Sequence, residues 1–225
     1  MDHDTIKEFE ALGQAYFGVP GHKRLRSIIR VDNKKKRNLP KYSFIVDKFN
    51  LEDNIVDVGC GGSYFKGIFP NLIAFDMVDY GNQDYVCNIF DAPIPEGSQD
   101  GVFCFGVLHE CPDEYHLPNI GKMLTWLKPN GQLVMRCKSK LVVNKHPVQR
   151  HAITYSYEKY LDQGLWNKER IDQFTQQLNL KINWIEHRVI KRKQQWTNIE
   201  GANFDPCYDN DIIFDGYIWS WSKSV

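Results

Sequence analysis

The stretch Ile55-Val-Asp57-Val-Gly59-Cys-Gly61-Gly-Ser63 decides how this chain is read. Asn54-Ile-Val-Asp-Val58 is a short β-branched run that reads as a buried strand and ends at glycines. Those glycines let the backbone turn sharply and let a ligand approach without meeting a Cβ. A strand leading through such a turn into a helix places the turn at the carboxyl end of an open parallel sheet, where ligands bind. The start of the following helix then offers free N–H groups to a carboxylate or phosphate.

Outward from that turn, residues 54–137 alternate between strand and helix signals. Leu72-Ile-Ala-Phe75 is a second strand ending at Asp76, Tyr85-Val-Cys87 a short third, and Gly101-Val-Phe-Cys-Phe105 a fourth. Leu117, Ile120, Leu124 and Leu127 mark one helix face, stopped by Pro129-Asn130-Gly131, and Gln132-Leu-Val-Met-Arg136 is a fifth strand. Continuous apolar strands separated by helices predict a parallel sheet covered on both faces. Further on, Ile171, Phe174 and Leu178 mark another helix, and 182–190 and 212–221 read as two late strands. Before the turn, Ile6, Phe9, Gly13 and Phe17 fit one helix face, and Tyr42, Ile45, Val46 and Phe49 recur at helical spacing. The expected organisation is a helical, basic extension over 1–50 packed on a single domain over 51–225.

The motifs form an ordered series. Nineteen residues beyond Asp57 stands Asp76, at a strand end. Asn88-Ile-Phe-Asp91-Ala-Pro93-Ile-Pro95-Glu-Gly97-Ser-Gln-Asp100 leads into the fourth strand, Phe105-Gly-Val-Leu108-His109 follows it, and Leu127-Lys-Pro129-Asn-Gly131 precedes the fifth. Over 55–137 this series resembles the class I S-adenosylmethionine (SAM)-dependent methyltransferases, of the type 11 kind. The resemblance implies a Rossmann-like α/β sandwich whose seven-stranded, mostly parallel sheet runs in order 3-2-1-4-5-7-6 with the seventh strand antiparallel. It implies SAM as cofactor and S-adenosylhomocysteine as product. Asp57, Gly59, Cys60 and Gly61 would face the methionine half, Asp76 the ribose hydroxyls, Met77, Asn88 and Ile89 the adenine, and Phe105 the sulfonium. A carboxylate suits a vicinal diol because it accepts two hydrogen bonds. Asn88 departs from the family's usual Asp, with Asp91 a nearby alternative; its side-chain oxygen still accepts a bond, without a charge. The competing dinucleotide fingerprint G-x-G-x-x-G needs a glycine where this chain has Tyr64.

The acceptor is not written in these motifs. Transfer of a methyl group from a sulfonium mainly requires alignment, and a base only where the acceptor must lose a proton. His109, or Glu110 beside it, is positioned for that task; His109 is the expected catalytic residue. A small metabolite or sugar is the leading acceptor. RNA or a nucleotide is second, on the nine Lys and Arg between His22 and Lys41, which face one acid there, Asp32. A fold-retaining scaffold without turnover and a nicotinamide oxidoreductase are the rivals. Tyr16 or Phe17 as a lid, and Trp184, Trp196, Trp219 and Trp221 as a substrate groove, are weighed against ordinary core packing.

Composition sets the outer bounds. The 225 residues carry no net charge, so the whole molecule has no bulk attraction for nucleic acid or anionic membrane. None of the six cysteines forms a CxxC pair, so no metal site is expected, and reduced thiols are the default. An acidic start, Met1-Asp-His-Asp4, and the lack of a long apolar run predict a soluble cytoplasmic protein without a membrane span. Oligomeric state is not encoded in any of these features.

Overall fold

The structure, a computed structural model, describes residues 43–61, 65–111, 113–139, 165–191 and 212–224. The expected helix over residues 6–17 with Tyr16 and Phe17, the basic stretch 22–41, and Trp196 lie outside them.

The described elements are α1 (Ser43–Val46), β1 (Ile55–Val58), β2 (Leu72–Asp76), β3 (Tyr85–Val86), β4 (Gln99–Phe105), α2 (His116–Trp126), β5 (Leu127–Lys138), α3 (Lys168–Gln177), β6 (Leu180–Lys191) and β7 (Ile212–Lys223). Two short 3₁₀ turns, Leu108–Glu110 and Asp113–Tyr115, join β4 to α2. The strands form one sheet in the order β3-β2-β1-β4-β5-β7-β6. β1 to β5 pair in parallel, whereas β7 runs antiparallel to both β5 and β6. The order places β1 and β4, consecutive in the ladder but not in the chain, side by side at the centre, which opens a crevice at their carboxyl ends.

Side-chain alternation divides the core between the two faces. Val56, Val58, Val102, Cys104, Leu133, Met135, Cys137, Trp219 and Trp221 point to one face, beneath α2 and α3. Ile55, Ala74, Phe103, Val134 and Ile218 point to the other, beneath α1 and the Phe65–Phe69 segment. Because both faces are covered, the central strands are apolar at every position rather than at alternate ones. Phe103 is the hub of the second face: Phe49, Phe65 and Phe69 meet it edge-on with ring centroids 4.8–6.0 Å away, and Phe105 stacks parallel at 5.7 Å. On the first face Trp166, Trp219 and Trp221 are fully buried, and the indole N–H of Trp221 donates to Thr175 Oγ1 at 2.7 Å, tying α3 to β7. Each fully buried large side chain contributes about 1.5–3 kcal/mol by area.

Three local readings are refined. Leu127, expected on the helix face, opens β5 instead. Pro129-Asn130-Gly131, expected as a turn ahead of the strand, lies within the strand's span. Gln99 pairs Leu127 while Gly101 pairs Gln132, so two steps along β4 match five along β5 and the intervening residues bow out of the ladder. A turn chemistry of Pro, Asn and Gly is thus expressed as a bulge. Finally, β4 begins at Gln99, two residues earlier than its apolar run.

Candidate active site

The glycine turn is built by the end of β1 folding over the end of β2. Gly59 (φ 59°) and Gly61 (φ 48°) both adopt left-handed backbone. The N–H of Cys60 donates to the carbonyl of Phe75 at 3.0 Å, and the N–H of Gly61 donates to Asp76 Oδ2 at 2.8 Å. The other carboxylate oxygen, Oδ1, accepts from the N–H of Val78 at 3.0 Å. Asp76 is therefore fixed at both oxygens by backbone donors, which hold the carboxylate at the strand end.

A cavity of about 280 Å³ lies against this turn, near the lower end of small-ligand sites (roughly 300–1,000 Å³). It brings together every expected site residue: Asp57, Gly59, Cys60, Gly61, Asp76, Met77, Asn88, Ile89, Phe105 and His109 all line it. Several residues that no motif singles out share the same wall, among them Tyr80, Phe90, Tyr115, Asn119, Arg136 and Lys138. Arg136 and Lys138 are legible only as strand residues until the register of β5 is known. Asn119 reads as a polar residue of an amphipathic helix.

The side chains differ in what they offer a ligand. Cys60 is 5 % exposed, and burial, then the charges of Asp57 and Asp76, push its thiol well above the ordinary range, so it serves as packing rather than as a nucleophile. Asn88 Oδ1 accepts from the N–H groups of Phe90 and Asp91 at 2.7 and 3.0 Å, and its Nδ2 donates to Asp91 Oδ2 at 2.5 Å. Asn88 and Asp91 thus form one turn rather than two alternatives. Asn119 is 7 % exposed, and its Oδ1 has no hydrogen-bond partner among the described residues. A buried acceptor of this kind suits a donor on a ligand. Trp219 and Trp221 are core residues on the first face, and Trp184 packs against Phe44 on the second at 5.9 Å, so none of these three lines the cavity.

His109 sits in the first 3₁₀ turn, 3 % exposed, at the β4 end of the cavity; the side chain of Glu110 lies outside the described part. Gly106, φ 81°, turns the chain out of β4, and its N–H donates to the carbonyl of Arg136 at 2.9 Å. The turn bearing His109 is held from behind by His116. His116 Nε2 lies 2.7 Å from the carbonyl of Leu108 and 3.1 Å from that of Cys111, while Nδ1 lies 2.8 Å from Arg170 Nη2. Two carbonyls at Nε2 and a guanidinium at Nδ1 select the neutral tautomer with its proton on Nε2. Arg170 is anchored in turn by Asp113 at 2.7 Å.

A parallel sheet with one antiparallel strand next to its edge, a glycine turn closing on an acidic strand end, and a cavity beyond β1 and β4 define the class I methyltransferase fold. The family model described as a methyltransferase domain matches residues 56–135, the stretch that runs from β1 into β5. No match was found among curated protein sequences. Among solved structures, magnesium protoporphyrin IX methyltransferase from Synechocystis with bound SAM is 13 % identical, covers 96 % of this chain and 97 % of its own, and has a TM-score of 0.58. The 1,6-didemethyltoxoflavin-N1-methyltransferase of Burkholderia thailandensis, with its acceptor and S-adenosylhomocysteine bound, is 11 % identical over 89 % of this chain and 88 % of its own, TM-score 0.55. A SAM-dependent methyltransferase from Methanosarcina mazei is 12 % identical over 82 % of this chain and 98 % of its own, TM-score 0.55. At such identities the likeness is one of fold. Among the described residues, no helix is long and apolar enough to cross a membrane, and no group of three or more His, Cys, Asp or Glu is placed to hold a metal ion.

Proposed function

We propose that the protein transfers a methyl group from SAM to an oxygen or nitrogen of its acceptor, with a small metabolite or sugar favoured over RNA or a nucleotide. The observation that carries this reading is the pairing of the bare backbone at Gly59 with the doubly anchored carboxylate of Asp76 on one cavity wall. The cavity fits the cofactor on two counts. Gly59 and Gly61 hold left-handed backbone, φ 59° and 48°, and line the cavity, so the turn presents bare backbone to a ligand. Asn119 Oδ1 supplies a buried acceptor to a ligand N–H or O–H.

When bound, SAM would supply an electrophilic methyl group and a neutral thioether leaving group. The chain's own part is to bind and align. Asp76 receives the ribose diol, and Gly59 to Gly61 present backbone to the methionine half. Met77, Ile89 and the turn at Asn88 flank the adenine, and Phe105 faces the reacting centre with an apolar ring. His109, at the opposite end from Asp76, takes the proton of an acceptor that must lose one.

Calorimetry with S-adenosylhomocysteine tests the core of this reading. Micromolar binding is expected, and Asp76→Ala should weaken it roughly 10- to 100-fold, the loss of one or two charge-assisted hydrogen bonds. Absence of binding, or binding of a nicotinamide cofactor instead, would move the chain to the scaffold or oxidoreductase reading. His109→Ala is expected to bind S-adenosylhomocysteine as the parent does but to turn over about 10²-fold more slowly. Undiminished turnover would leave the imidazole without a proton-transfer role.

A further inference from the structure

We propose that the methyl acceptor carries an oxyanion, a carboxylate or a phosphate, which Arg136 and Lys138 grip while its nucleophilic atom lies toward His109. This rests on the methyltransferase reading and names the class of substrate for that site. Arg136 and Lys138 are two residues apart on β5 and therefore share one face, with Cys137 between them buried in the core on the other. Both line the cavity and both are half-buried.

Their placement is tied to the reacting end. Arg136 pairs in register with Phe105, and Gly106 follows it out of β4. A Cβ on Gly106 would lie 3.6 Å from His109 Cε1 and 4.0 Å from Arg136 Nη1. The imidazole and the guanidinium thus converge over the same bare backbone, and an acceptor beside His109 has a cation within one small group's reach.

The cavity is electrically divided. Its carboxylates, Asp57 and Asp76, stand on β1 and β2, whereas Arg136 and Lys138 stand on β5, beyond β4 in the ladder. Along the same rows, Arg136 aligns through Ile218 with Glu186, and Lys138 aligns through Gly216 with Arg188. Glu186 in turn binds Arg188 at 2.6 Å. An end with two cations rejects a positively charged acceptor and draws an anion, and a guanidinium fork matches carboxylate and phosphate oxygens in geometry as well as charge.

The test uses the full-length protein saturated with S-adenosylhomocysteine and titrated with benzoate, phenyl phosphate and neutral benzamide. At least one of the two anions is expected to bind ten times more tightly than benzamide, weakening as salt rises. Arg136→Gln and Lys138→Gln should each lower that preference at least threefold and leave S-adenosylhomocysteine affinity within twofold. A preference for benzoate identifies a carboxylate acceptor and a preference for phenyl phosphate a phosphorylated one. Anions binding no better than benzamide would overturn the proposal. So would a parallel loss of anion and S-adenosylhomocysteine affinity in both variants, because the cations would then serve the cofactor's own carboxylate. Failure of the parent protein to bind S-adenosylhomocysteine defeats the methyltransferase reading itself, whereas failure of the anions with that binding intact defeats only this inference.

Discussion

Alanine at position 59 is expected to abolish measurable S-adenosylhomocysteine binding and to lower stability by about 2–4 kcal/mol, the sum of left-handed backbone strain and a steric conflict. Gly59 has φ 59°, and its added Cβ would meet Val107 Cγ2 at 2.4 Å. Valine is stiff at χ1, so the methyl has little freedom to swing aside. Val107 also lines the cavity between Gly106 and the turn bearing His109, so its displacement carries into the reacting end. Gly97→Ala separates the two contributions. Gly97 has φ 63°, no heavy atom within 4 Å of its missing Cβ, and no place on the cavity wall. That variant should show the backbone cost alone, about 1–2 kcal/mol, with full S-adenosylhomocysteine affinity. Equal ligand affinity in the two variants would mean that the turn at Gly59 is not the cofactor cradle.

Acid should destabilise the protein through His116. Burial first, and the neighbouring Arg170 guanidinium second, hold this imidazole neutral and lower its pKa from 6.5 to about 4. The unfolded chain takes up the proton near the ordinary value while the folded one does not until near pH 4. The stabilisation from neutral His116 is therefore present above pH 6.5 and is lost as pH falls toward 4. Each pKa unit corresponds to about 1.4 kcal/mol, so lowering pH from 7 to 5 should remove about 2 kcal/mol. Denaturant unfolding at the two pH values, in the parent and in His116→Phe, isolates this contribution as the difference between their slopes. An unaltered slope in the variant would assign the acid sensitivity elsewhere. His116→Phe also removes the donor to Leu108 and Cys111, leaving two carbonyls behind the His109 turn without it. A further loss of about 1–3 kcal/mol at pH 7 is expected from that alone.

The β1–β2 end of the cavity was more legible than the β5 end, and particular residues show why. Asp57, Gly59, Gly61 and Asp76 lie at strand ends whose apolar runs are local signals, and they arrive in the cavity directly from the order of strands. Phe105 and His109 follow the same logic one strand further on. Arg136 appeared only as the last residue of an apolar strand, and Lys138 fell beyond its expected end. Which way a strand residue points depends on register, and the bulge between Gln99 and Gly101 resets that register. His116 was indistinguishable from a surface histidine at a helix start, because its partners Leu108, Cys111 and Arg170 come from three separate segments.

The strands, the glycine bend and the acidic residue answering it were set by the sequence, since each follows from local patterning or from the conformational freedom of a single residue type; the helix expected after the bend is absent from described residues 65–71, which run as turns into β2. The tertiary structure alone decided that Arg136 and His109 converge over Gly106, that Asn88 and Asp91 act as one turn, and that His116 is held neutral behind the reacting end. Those outcomes depend on pairing between distant strands and on burial, and both arise only when the two faces of the sheet are closed by their helices.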